Sequence, residues 1–201
     1  PELRHEEIGA VILGRLTGDG GHYADQAARY DWLSLNHFAD LTAGGSGLTI
    51  SSPDLSFFRR GDSTPKFFDT QSPRLSILAG GQVDGSSLGI SSQGGDGYFL
   101  QRFALEAHGA YDQAAAMRFA LEHQNPFAVG EVTGGAKYPG GSYSLFSPTA
   151  DGVFVWAVKP AEDTAAGGIV VRVWNQTQGE TAFDLAFSGF EILEAQRTSL
   201  I

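Results

Sequence analysis

A chain of 201 residues with 42% hydrophobic and 18% charged side chains has the balance of a globular protein with one sizeable core, which excludes disorder. Its 23 acidic side chains against 13 basic ones, a formal net charge of −10, exclude a nucleic-acid partner, which needs concentrated Lys and Arg. Cys is absent, so neither a disulfide framework nor a thiolate metal site is available.

The missing Cys points to a reducing compartment, the cytoplasm, and to a bacterial source. There is no polybasic segment for an anionic membrane, no apolar run as long as a membrane span and no signal-peptide pattern. The chain starts at Pro1 without Met and stops at Ile201 soon after an apolar segment, so it is expected to be one domain excised from a longer polypeptide.

In chain order, Ile8–Leu16 reads as a buried strand, followed by a Gly-Asp-Gly-Gly turn at 18–21 and a polar segment from Tyr23 to Tyr30. Asp31–Leu35 starts another strand. Phe38–Leu41 and Gly47–Ile50 flank Gly44-Gly45-Ser46-Gly47, a strong turn signal. Leu55–Phe58 and Lys66–Phe68 are short strand candidates, and Arg74–Leu78 alternates as a strand should. The Gly- and Ser-rich interval 80–97 reads as a surface loop; no linker is strong enough to divide the chain into two domains, this interval being the best candidate. Tyr98–Gly109 reads as a strand ending at His108-Gly109.

Ala110–His123 alone has helical composition, with Ala114, Met117 and Leu121 at helical spacing. Met117, Phe119 and Leu121 also alternate, so a short helix over Tyr111–Ala115 passing into a strand is expected, closed by Asn125-Pro126. Strands are expected at Ser142–Phe146, in a hairpin over Val153–Asn175, at Ala182–Phe187 and at Phe190–Leu193. About ten to fourteen short strands separated by turn signals make an all-β, two-layer antiparallel sandwich with at most one short helix.

Chemistry is sparse. The adjacent pairs Glu6-Glu7 and Glu162-Asp163 do not face one another in an extended chain, because neighbours point to opposite faces. Histidines at 5, 22, 37, 108 and 123 have no shared metal-ligand spacing. His108, at the end of a β run beside Gly109, is the candidate for sugar contact or proton transfer. No Gly-x-Ser-x-Gly elbow and no phosphate-cradling Gly loop before a helix is present. Trp32, Trp156 and Trp174 fit either a core or a sugar-stacking platform. The segment itself therefore shows no catalytic residue and no metal ligand set.

The hairpin adds a resemblance. Ala157-Val158-Lys159-Pro160-Ala161-Glu162-Asp163 with Ile169-Val170-Val171-Arg172-Val173-Trp174-Asn175 resembles the hairpin in the C-terminal β domain of glycoside hydrolase family 38, the α-mannosidases. Gly47-Leu48-Thr49-Ile50, Arg74–Leu78 and Ala107-His108-Gly109 resemble further strands of that family. Ala107 stands where the family has Pro, and Ala79-Gly80-Gly81 replaces its Arg and Ser.

Arg172, an Arg inside a β run, points to the polar face or pairs with a carboxylate such as Glu162 or Asp163. The resemblance implies a supersandwich like that of galactose mutarotase, with Lys159, Pro160, Glu162, Asp163, Arg172 and Asn175 as structural motif residues. It implies a parent α-mannosidase whose zinc and carboxylate nucleophile lie in a separate catalytic domain. This segment would pack against that domain, lend a loop to the α-mannoside cleft and be inactive alone; a homo-oligomer stays open. The alternatives are a free-standing carbohydrate-binding module, which needs a row of exposed aromatics, and a mutarotase-like epimerase, which needs His108 and a carboxylate in one pocket.

Overall fold

A computed structural model describes residues 1–5, 31–77, 100–131, 142–162, 167–189 and 191–198. The expected strand at Ile8–Leu16, the Glu6-Glu7 pair, the loop at 80–97 and Asp163 lie outside these residues. The chain forms two compact units, Pro1–Phe127 and Ala128–Ile201.

The first unit contains β1 (Glu2–His5), β2 (Leu33–Ser34), β3 (Ala39–Ala43), β4 (Ser46–Ser51), β5 (Phe57–Arg60), β6 (Leu75–Ile77) and β7 (Ala104–His108), followed by α1 (Gln113–Gln124). They build one four-stranded sheet in the order β1-β3-β4-β7 and a three-stranded sheet in the order β2-β5-β6, antiparallel throughout. Ala43 pairs with Ser46, so Gly44-Gly45 is a two-residue hairpin loop. Both glycines have positive φ, +60° and +82°, which suits the twist of the flanking strands and disfavours any other residue.

Strand alternation gives the larger sheet two different faces. On one side Leu3, Ala39, Leu41 and Ile50 meet Leu33, Phe58, Leu75 and Ile77 of the smaller sheet, with Leu35 and Phe68, as a sandwich core. On the other side the register aligns Arg4, Asp40, Thr49 and Glu106 in one row, and Glu2, Thr42, Gly47 and His108 in the next. Helix α1 lies against β4 and β7 and buries Ala116, Met117 and Ala120. Its last residue, Gln124, donates from Nε2 to the carbonyls of Asn36, His37 and Ser52 at 3.0–3.1 Å. A polar sheet face is thereby taken out of water: Asp40 and Ser51 are fully buried and Thr49 is 1% exposed.

Two expectations are corrected in this unit. The helix runs through Gln124 and no strand follows the first turn, because Asp112 caps its start and its buried residues recur at 116, 117 and 120, the helical spacing. Lys66–Phe68 forms no strand; Phe67 makes an isolated bridge to Thr64 inside a loop. That loop is organised by Asp69, whose carboxylate accepts from the backbone N–H groups of Asp62, Gln71 and Ser72.

The second unit contains β8 (Phe146–Pro148), β9 (Val153–Pro160), β10 (Ile169–Asn175) and β11 (Leu185–Phe187). β9 pairs with β10 and β8 with β11, each antiparallel. The register steps between Arg172 and Val173, opposite Ala157 and Val155, so Trp156 is the extra residue of a β-bulge. The bulge turns Trp156 against Trp174, edge to face, with ring centroids 4.6 Å apart. Phe146 and Phe187 form a similar pair at 5.0 Å. The strand expected at Ser142–Phe146 begins only at Phe146, and residues 191–193 form none. With eleven strands in antiparallel sheets and one helix among the described residues, the all-β sandwich reading holds.

Candidate functional site

Each strand of the larger sheet contributes to one polar cluster. His108, the last residue of β7, is opposite Gly47 of β4, which in turn is opposite Thr42 of β3. Without a side chain on Gly47, the imidazole lies across the strand and reaches the neighbouring row. Its Nε2 is 2.5 Å from Asp40 Oδ2, and its Nδ1 is 3.1 Å from the Gly109 carbonyl oxygen. Asp40 also accepts from the Thr42 hydroxyl at 2.5 Å on Oδ1 and from the Thr49 hydroxyl at 2.7 Å on Oδ2.

Both partners of the ring are acceptors. The Gly109 carbonyl accepts at Nδ1 and the Asp40 carboxylate, already accepting from two hydroxyls, accepts at Nε2, so only the imidazolium form satisfies both at once. Burial pulls the imidazole pKa down. The hydrogen bond and charge of Asp40, with the Gly109 and Ala110 backbone, outweigh it and hold the pKa above the ordinary histidine value. Beside the pair, the Arg4 guanidinium stacks over Tyr111 at 4.4 Å and pairs with Glu2. The Tyr111 phenol is pushed up to about 12, first by burial and then by the Asp40 charge.

This arrangement suits an oriented ion pair better than acid–base chemistry on a sugar. A general base needs a ring nitrogen free to face substrate, and both nitrogens of His108 are turned to protein acceptors. The cleft nearby, about 490 Å³, is lined by Pro1, Glu2, residues 42–45, Thr70 and Gln71. Glu2 is its one acidic lining residue, whereas glycoside hydrolysis uses two facing carboxyl groups. Among the described residues no three His, Asp or Glu side chains converge as a metal site requires.

Of the six hairpin residues, all but Asp163 lie among the described residues. Lys159 Nζ donates to Glu162 Oε1 at 2.8 Å across the end of β9, holding the Glu162 carboxyl below its usual range. Pro160 is opposite Ile169, the first residue of β10. Arg172 is exposed at the bulge opposite Ala157. Asn175 closes the strand: its Oδ1 accepts from Thr177 N and its Nδ2 donates to the Gly179 carbonyl, both at 2.8 Å. The tryptophans form no exposed row. Trp156 and Trp174 pack on one another, and Arg59 lies over Trp32 at 5.8 Å.

Sequence reasoning singled out His108 but missed Asp40, Thr42, Thr49 and Tyr111. A usable signal was the polar alternation Asp40-x-Thr42, Gly47-x-Thr49 and Glu106-x-His108, which places polar side chains on one face of three strands.

Antiparallel sheets, paired aromatics and a bulged hairpin define an all-β, sandwich-type protein. More specifically, residues 152–201, about a quarter of the chain, match the family model for the glycosyl hydrolases family 38 C-terminal beta sandwich domain. The match spans β9, β10 and β11 and supports an accessory domain of a family 38 glycosidase. No curated protein and no solved structure gives a significant match.

Proposed function

We propose that this chain is an accessory C-terminal β region of an α-mannosidase-type glycoside hydrolase, inactive alone. The observation that carries the reading is the family match over residues 152–201, centred on the Val153–Asn175 hairpin. The engagement of both His108 ring nitrogens by acceptors of the protein itself supports a residue held in place and not one aimed at substrate. In this reading the catalytic carboxylates, the zinc and the α-mannoside cleft belong to another domain of the same polypeptide, against which the present segment packs in a bacterial cytoplasm.

A paired assay tests this. The segment and the full-length protein of its gene are incubated with an aryl α-mannoside and zinc. Turnover by the full-length protein alone is the expected result. Turnover by the segment itself overturns the accessory reading, and silence from both overturns the mannosidase assignment.

A further inference from the structure

We propose that His108 and Asp40 form a pH-sensitive latch, which when protonated fastens the end of β7 and the start of α1 to the buried face of the sheet, and which opens as the imidazole loses its proton. The inference is independent of the glycosidase reading, because it rests on geometry within the first unit. Among the described residues β7 is an edge strand, paired with β4, and α1 begins five residues after His108. The His108–Asp40 contact bridges β7 to β3, across the intervening β4, and so ties the edge to the centre of the sheet.

Two acceptors face the two ring nitrogens at 2.5 and 3.1 Å, and only the imidazolium has a proton for each. Loss of one proton ends one of these bonds. It also takes from Asp40, 0% exposed, the imidazolium charge, and among the described residues the two threonine hydroxyls remain bonded to it while Arg4, opposite it in register, is paired with Glu2. A buried carboxylate without its counter-charge is costly, so the local structure relaxes toward water. Among the described residues, the charged and titratable groups on this sheet face and the elements packed on it are Asp40 of β3, Glu2 and Arg4 of β1, Glu106 of β7 itself, Tyr111 and Asp112 before α1, and Arg118, Glu122 and His123 of α1. Glu2 and Arg4 pair with each other. Tyr111 stays neutral across the range in which histidine titrates, its phenol being pushed up to about 12.

The sign follows. A histidine whose folded pKa is above the unfolded value, about 6.5, stabilises the fold fully below that pH and loses its contribution as pH rises through the folded pKa. Opening is therefore an alkaline event.

The test combines NMR titration of the His108 ring with hydrogen exchange over residues 104–116. Both use the intact chain, with exchange corrected for the base-catalysed intrinsic rate. The expected titration midpoint lies above about 6.5, and protection of residues 104–116 falls as pH crosses it. In His108→Gln, which keeps a donor but cannot titrate, protection no longer changes with pH. A midpoint at or below the ordinary histidine value overturns the latch, as does an unchanged pH dependence in His108→Gln. Should that variant fail to fold, the wild-type midpoint decides alone.

Discussion

At Gly47 a Cβ would be 2.3 Å from His108 Cε1, 2.7 Å from His108 Nε2 and 2.8 Å from Thr42 Oγ1. The glycine is required for the close approach of the imidazole and not for an unusual backbone. Gly47→Ala is expected to displace the ring from Asp40 and destabilise the first unit by about 2 kcal/mol. Denaturant unfolding measures the loss, and the His108 ring signal should shift with it. Arg60 is a charged side chain only 2% exposed. It donates from Nε to the Ser72 carbonyl at 3.0 Å, and from Nη2 to the carbonyls of Pro1 at 2.7 Å and Thr70 at 2.5 Å. Arg60→Met keeps the apolar stem but leaves three carbonyls without their donor, so a cost of about 3 kcal/mol is expected by the same measurement. Neither role was legible in the sequence. Asp40 and His108 are 68 positions apart and meet only through strand order, and the Arg59-Arg60 pair looks like a solvated turn until alternation sends Arg60 inward.

At the scale of elements, most of the β structure was legible because its signals are local. Gly44-Gly45 announced the β3–β4 hairpin, and the apolar runs ending at Pro160 and Asn175 announced β9 and β10. The helix was misread because its outer face also alternates. Met117 is buried whereas Phe119 and Leu121 are only partly so, and the burial repeats with helical period through Ala116 and Ala120. The cap was the stronger signal: Asp112 Oδ1 accepts from Ala115 N at 2.9 Å. Asp112→Ala is expected to cost about 1 kcal/mol and to lower the far-UV helical signal at intermediate denaturant. The bulge in the hairpin was not legible, because a single extra residue leaves no composition signal. Its consequence is the Trp156–Trp174 pair, for which a double-mutant cycle to alanine is expected to give a coupling of about 1 kcal/mol. A coupling near zero would mean that the two rings only share a surface.

At the scale of the whole molecule the two units carry different loads. The sandwich core, the covered polar face and the His108–Asp40 pair all belong to Pro1–Phe127, while the family match belongs to the unit that begins at Ala128. Phe127 and Val129, each at least 95% exposed, mark the junction. The pH response of the first unit follows from groups at its two ends of the titration range. Asp54 accepts from the Arg102 backbone N–H at 2.8 Å and from both arms of its guanidinium, at 3.0 and 2.7 Å. The side-chain and backbone bonds from Arg102 hold the Asp54 carboxyl down at about 2. A depressed carboxyl stabilises the fold above its unfolded pKa, near 3.8, and loses that contribution as pH falls toward 2. The raised histidine does the reverse above about 6.5. Stability is thus expected to plateau between about pH 4 and pH 6.5 and to fall on both sides. Melting temperatures across that range measure it. Asp54→Asn should make the acid limb alone shallower, the lowered Asp69 carboxyl keeping the rest of it, and His108→Gln should flatten the alkaline limb alone. Variants that shift both limbs together would show instead that net charge, −10 in this chain, governs the profile and not these two pairs.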